Sequence, residues 1–403
     1  MNNTHKKNTV RYYMLIIALL ACLFISSDFG LVDVQKTAIV MAVGVDREED
    51  SFIVTSQIAI PQSAKSGKAT ETVQLVSRGK TVASAFEQIN AKTGWYPKLV
   101  FCNLILLGES TTQTNVFDAL DFFLLNEYLS DNCLIATCDG SAKDMLNVAT
   151  LVDPSGSVAM QKVLSSHAKR VGTVLPTTLR EFTIGYFGDA QSSSLPIIKT
   201  QPQQDENEIA PTINTDQTQQ SGSSSQGEKS TPSDKPVFSA GETALFKRGT
   251  RVGRLTREET FALGAVLHDL KLAAFSVEKD GATCTLTIKN NERKTKLKVG
   301  ADGRATLQIQ LTLSAGLLDY SVALPLEQSI DVGDTPDGVF DASEKLLSSH
   351  IQTAFDKCRT AECDLFGVID RMQKYHPSAY ATHKDKVLQT AIAEIAVHFR
   401  SVR

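Results

Sequence analysis

The residues from 201 to 236 set the first limit on the fold. They are rich in Gln, Ser, Thr, Pro and Asp and contain no aromatic residue. Such a stretch cannot bury enough apolar surface to offset the entropy lost on ordering it. It reads as a disordered linker between folded parts. Over the whole 403-residue chain, 42% of residues are hydrophobic and 21% charged. That is a globular balance, and the length exceeds one ordinary core. The formal net charge of −4 gives no sign of a nucleic-acid binder, because neutralising phosphates needs a basic surface.

The basic cluster Lys6, Lys7 and Arg11 precedes a charge-free run from Tyr12 to Ile25. A full bilayer span needs about 20 apolar residues, so the run is short. The basic flank, residues 1–11, is expected to stay cytoplasmic and the rest to lie outside. Residues 12–28 then form a membrane anchor or a lipoprotein signal. In the lipoprotein reading, Leu19-Leu20-Ala21-Cys22 is a lipobox and Cys22 carries the lipid. In the other, the segment stays uncut as a signal anchor. Leu20 is bulky for a cleavage site, and Leu23-Phe24-Ile25 continue the apolar run beyond it.

Seven cysteines are present, with no Cys-x-x-Cys pair. Neither a zinc knuckle nor a thioredoxin-like motif is therefore suggested. Cys133 and Cys138 share one expected strand at odd spacing, which points them to opposite faces. Most of the cysteines read as small core residues, with a Cys358–Cys363 bridge as the alternative for that pair.

The expected fold is α+β, mixed α/β in detail. About three mixed domains, with antiparallel-rich sheets and packed helices, follow the anchor. Residues 35–150 form an α/β domain. Residues 37–47 and 51–60 make a hairpin, and Val73 to Ser77 a third strand. A helix from about Thr81 to Thr93 turns Val82, Ala85, Phe86 and Ile89 inward. Leu99 to Leu107 reads as a strand buried on both faces. A helix around Asn115 to Tyr128, a strand from Asn132 to Cys138 and a helix from Ser141 to Val148 follow. Residues 151–200 read as a helical middle region. One helix there carries a Val158, Val163, Leu164 stripe, and Pro176 opens the next, with Leu179, Phe182 and Tyr186 inward. Leu195 to Ile198 is a short extended piece.

Residues 237–403 read as a carboxy-terminal α+β domain. It opens with a hairpin, and Thr256 with Glu259 fits a capping box. Strands over 272–279, 282–290, 293–299 and 304–314 make a meander, with turns at Asn290-Asn291 and Asp302-Gly303. A long helix runs from Gly338 or Val339 to about Thr360, with Phe340, Leu347, Ile351, Ala354 and Phe355 inward. A short helix covers Leu365 to Tyr375. The chain ends on a strand where Ile395, Val397 and Phe399 alternate.

No phosphate loop, dinucleotide fingerprint or nucleophile elbow occurs. His376 and His383 lack a third metal ligand and read as surface histidines. Glu48-Glu49-Asp50 reads as a solvated turn, and Asp121 and Glu127 as surface charges. No catalytic, metal or cofactor residue is assigned, and no cofactor is expected.

The order of segments resembles the Ger(x)C family, the C subunits of spore germinant receptors. Lys36 to Asp46 resembles the family's first strand, and Gly79-Lys80-Thr81 its Gly-Lys-Thr segment before a helix. Ser141 to Leu146 is similar to its Ala-Lys-Asp-Leu-Leu helix start. Ala244 to Lys247, Val252 to Thr256 and Glu258 to Thr260 resemble the start of its carboxy-terminal domain. Asp364-Leu365-Phe366-Gly367 resembles its Asp-Ile-Phe-Gly segment. The family commonly follows its lipobox Cys with Trp-Asp and an acidic residue, whereas Leu23-Phe24-Ile25 follow Cys22 here.

The resemblance implies a non-catalytic subunit at the outer face of the spore inner membrane. Its partners would be a transporter-like integral membrane subunit and a membrane subunit with a soluble domain. Within the Asp364, Phe366, Gly367 segment, a packed helix start and a partner contact are both open. A free-standing extracytoplasmic protein that binds a solute or wall fragment is the alternative function. A surface hydrolase is a third reading, without a nucleophile motif to support it.

Overall fold

Strands and helices follow one another from Thr37 onward largely as their side-chain periods require. The computed structural model describes residues 12–20, 37–59, 72–150, 153, 155–201, 236–321 and 335–402. Residues 12–20 form helix α1, whose apolar side chains from Tyr12 to Leu20 are exposed. Among the described residues no helix is long and apolar enough to cross a membrane. Cys22 and nearly all of the 201–236 tract lie outside the described residues, so the linker reading does too.

The first sheet opens with a hairpin of β1 (Thr37–Glu48) and β2 (Ser51–Ala59), extended by β3 (Thr72–Gly79). Glu49 takes φ 49° in the tight turn between β1 and β2. Helix α2 (Val82–Thr93) follows. Thr81 caps it by accepting from Ser84 N at 3.1 Å, while Ser84 Oγ accepts from Thr81 N at 3.1 Å. Its buried residues are Val82, Ala85, Phe86 and Ile89, the face expected from the 3.6-residue period.

The run from Leu99 to Leu107 is not one strand. Short β4 (Tyr96–Lys98) and β5 (Leu104–Leu107) both pair with β1, and a turn closed by Cys102 N and Leu99 O separates them. β5 alone is buried on both faces. Next come α3 (Glu109–Thr112) and α4 (Phe117–Leu124). α4 is shorter than expected. Asn126 accepts from Tyr128 N at 3.1 Å, a local turn that competes with the helix.

β6 (Leu134–Cys138) and α5 (Ala142–Leu146) complete the alternation. α6 (Gly156–Val163), α7 (Ser166–Val171), β7 (Thr177–Thr178), α8 (Leu179–Phe187) and β8 (Ser192–Gln201) follow. α6 buries Ala159 and Met160, with Leu164 just beyond it, rather than Val158. Pro176 stands outside α8. The cap there is Thr178, joined reciprocally to Glu181.

β8 then pairs antiparallel with β9 (Val237–Lys247), and Gln201 lies opposite Val237. β10 (Thr250–Leu255) pairs with β9. The hairpin expected to open the carboxy-terminal domain is therefore the edge of the first sheet. Strand order is β10-β9-β8-β6-β5-β1-β2-β3, with β4 beside β1 and β7 beside β6. Helices α2, α4 and α8 cover one face, and α5 and α6 the other. The middle region thus supplies layers to the first sheet and does not stand alone. Cys133 packs in the first layer and Cys138 in the second, the opposite placement their spacing implies.

The second sheet follows α9 (Arg257–Leu267), which starts with the expected capping box between Thr256 and Glu259. β11 (Ala273–Lys279), β12 (Ala282–Val299) and β13 (Ala305–Tyr320) form an antiparallel meander. Asn290-Asn291 is not a turn but part of the long β12. Asn291 Nδ2 donates to Ala265 O at 2.8 Å and His268 O at 3.0 Å, and its Oδ1 accepts from Leu270 N at 2.7 Å. It satisfies backbone groups that the end of α9 leaves open.

Helix α10 (Val339–Thr360) is followed by α11 (Val368–Tyr375), α12 (Pro377–His383) and α13 (Val387–Thr390). α10 turns Leu347, Ile351, Ala354 and Phe355 into the core. β14 (Ile392–Ser401) returns parallel to β13 at the sheet edge.

Candidate functional site

Three carboxylates are buried among the described residues, Asp46, Glu259 and Asp364. An isolated buried charge is costly unless it is paired or hydrogen-bonded. Glu259 closes the α9 capping box and pairs with Lys357 Nζ at 2.8 Å. Asp46 lies near the end of β1. Its Oδ1 accepts from Ala142 N at 2.7 Å, and its Oδ2 from Lys143 N at 3.0 Å and Ser141 Oγ at 3.1 Å. It fixes the start of α5 to the sheet. Gly108 makes this possible, since a Cβ there would overlap the carboxylate.

Asp364 stands where the carboxy-terminal part docks on the first sheet. Its Oδ1 accepts from Val368 N at 3.0 Å and its Oδ2 from Ile369 N at 2.7 Å, so it caps α11. Its own N–H donates to Ser192 Oγ at 2.9 Å, across the seam to β8. Burial raises its pKa, and the Ile369 and Val368 amides pull the other way. Beside it, Cys363 Sγ donates to Phe246 O at 3.3 Å, and burial pushes that thiol up to about 12. Phe366 is buried edge-on to Phe355, with centroids 5.3 Å apart. Gly367 has φ 70°, a conformation that favours glycine. Asp364, Phe366 and Gly367 thus come together in one turn, with the Asp and Phe side chains facing inward.

The same seam borders a half-open cavity of about 650 Å³. Its charged and amide lining includes Asp189, Lys247, Arg248, Glu362, Lys384 and Gln389. Lys247 Nζ donates to Ala190 O at 2.7 Å, and burial lowers its pKa. Arg248 Nε donates to Gln191 Oε1 at 3.0 Å, and Gln389 Nε2 to Glu362 Oε1 at 2.7 Å. Each of these bonds stays on its own side of the seam, so they fix the two walls of a polar space rather than join them. Sequence reasoning missed the cavity because its residues come from separated segments.

The other sequence candidates are dispersed. Glu48 on β1 pairs with Arg78 on β3, reaching past the intervening β2, and Asp121 and Glu127 are exposed. His376 closes the end of α11, and His383 lies against the Gly303 turn. Among the described residues no group of three His, Cys, Asp or Glu could hold a metal ion. All six described cysteines are free and buried, so Cys358 and Cys363 are not bridged.

Two family models match the chain. Residues 31–200 match the spore germination protein N-terminal domain. Residues 241–401 match the spore germination B3/GerAC-like C-terminal domain. The chain belongs to the GerAC-like family of spore germination proteins. Among solved structures it is similar to the crystal structure of the GerBC protein, at 17% identity and a TM-score of 0.52. The match covers 90% of this chain and 97% of that one. That likeness concerns the fold, which is α+β. No curated protein matches the chain by sequence. In this member of the GerAC-like family the first sheet runs on to Leu255, beyond the start of the C-terminal match.

Proposed function

We propose that this chain is the C subunit of a spore nutrient-germinant receptor and acts by assembly rather than catalysis. The Tyr12 to Ile25 run tethers it at the outer face of the spore inner membrane. Its companions are a transporter-like integral membrane subunit and a membrane subunit with a soluble domain. The match of both halves of the chain to spore germination domains carries this reading. The commitment of Asp46 and Asp364 to helix starts supports it, since neither is left facing a cleft as an acid or base.

Deletion of the gene should abolish germination in response to at least one nutrient, with recovery on complementation. Unchanged germination across a nutrient panel would sink the proposal. The seam cavity favours a second reading, a free-standing solute-binding protein. Purification from spore membranes separates the two. A stable complex with integral membrane subunits supports the receptor, and a chain recovered alone supports the binding protein. Intact mass of the membrane-extracted chain decides the anchor: loss of residues 1–21 plus acyl mass means a lipidated Cys22, and a retained amino terminus means an uncut helix.

A further inference from the structure

Six apolar or aromatic residues lie exposed at one pole of the first sheet. Trp95 and Tyr96 follow the end of α2, where Gly94 closes the helix. Val100 and Phe101 form the turn between β4 and β5. Leu125 and Tyr128 follow α4. Phe101 is 54% exposed and Leu125 85%. Contacts bring these segments together. Lys98 Nζ lies 5.8 Å from the centre of the Tyr128 ring, and Tyr96 and Asn126 line one cavity of about 360 Å³. The pole is where β1, β5 and β6 all begin.

The chain also arrives at this pole from the apolar run. Thr37, the first residue of β1, pairs with Tyr96, and Ile39 with Lys98. Only residues 26–36 separate Ile25 from Thr37. At about 3.5 Å per residue they reach at most roughly 40 Å. A tether attached here keeps this pole, where β1 starts, within that reach of the bilayer.

We propose that Trp95, Tyr96, Val100, Phe101, Leu125 and Tyr128 form a membrane-resting face that sits in the lipid interface beside the tether. The proposal rests on the anchored reading above. Amphipathic Trp and Tyr rings favour the headgroup level, and Val, Phe and Leu favour the acyl boundary beneath it. The nearby charges are mixed, Lys92 and Lys98 against Glu87 and Glu127. Apolar contact therefore drives the association, and a zwitterionic surface suffices.

Trp95 is the chain's single tryptophan, so its fluorescence reports on this face alone. The full chain is reconstituted into phosphatidylcholine vesicles, with or without lipids brominated near the top of the acyl chain. Flotation measures anchoring. The expected result is co-flotation with at least twofold quenching of Trp95 by the brominated lipid. The double variant Phe101→Ser, Leu125→Ser should float equally but lose most of that quenching. Leu318→Ser, an exposed position on the second sheet, should change neither. Co-flotation with unquenched Trp95 overturns the face while leaving the anchor intact, and is the result if a companion protein covers these residues instead. Failure to float overturns the anchored reading and the face with it.

Discussion

The Asp46 carboxylate occupies space that a side chain at position 108 would need. A Cβ on Gly108 would overlap Asp46 Oδ1 and crowd the Ala142 amide. Gly108→Ala must therefore push the carboxylate off the Ala142 and Lys143 N–H groups. Leaving buried donors unpaired costs about 1–3 kcal/mol each, so a loss of about 2–4 kcal/mol is expected. Asp46→Asn keeps an acceptor and should cost less. The urea midpoint measures both, and an unchanged midpoint for Gly108→Ala would remove the packing argument.

Asn291→Ala should destabilise the second sheet by about 2–4 kcal/mol. It leaves Leu270 N, Ala265 O and His268 O without their partner. Asn291→Asp keeps one acceptor but loses both donors, and should be nearly as harmful. Thermal unfolding followed by circular dichroism checks the pair. A turn residue at this position would have tolerated either change.

His268 predicts a loss of stability in acid. Burial first, then Lys169 and Arg293, lower its imidazole to about 4 from the usual 6.5. The unfolded chain therefore binds the proton more readily. This contribution is complete above pH 6.5 and is lost as pH falls toward 4, with a slope approaching about 1.4 kcal/mol per pH unit. Urea midpoints across that window should fall less steeply in His268→Gln. Parallel curves for the two proteins would count against the assignment.

Asp364 titrates in the opposite sense. Its folded-state pKa is raised, so its contribution is fully present below the usual 3.8 and is lost as pH rises through the folded value. The Asp364→Asn substitution has no such titration. The stability gap between wild type and Asp364→Asn should therefore narrow as pH rises above 3.8. A gap that widens over that range would contradict the burial argument.

Burial also raises the thiols of Cys138, Cys358 and Cys363. A thiolate is the reactive form, so native protein at pH 8 should resist iodoacetamide at these three positions. Denaturant should expose them together. Peptide mapping after alkylation gives the answer, and rapid native labelling of Cys363 would show that the seam opens.

Local features could be read directly from the residue order. The inward face of α2 and the Thr256–Glu259 capping box depend on residues three or four apart, so sequence spacing contains them. The Asp364 segment was only half legible. Its resemblance marked it, but the fact that Ser192 receives its amide depends on a strand far back in the chain. Asn291 misled for a physical reason. Asparagine suits turns because its side chain bonds nearby backbone, and here the same groups reach the end of a distant helix.

The apolar periods by themselves determined most strands and helices, the inward faces and the α+β class, because those periods act between near neighbours. They did not determine what the polar tract joins. By composition it separates two domains, yet Gln201 and Val237, just outside most of it, lie opposite each other on adjacent strands of one sheet. Ladder hydrogen bonds form between backbone groups common to nearly every residue, so composition does not name a strand's neighbour. Loop-closure entropy rises only slowly with length, so a long polar insertion is compatible with such a pairing. Only the tertiary structure placed β9 against β8, and with it the Cys363–Asp364 turn against the first sheet.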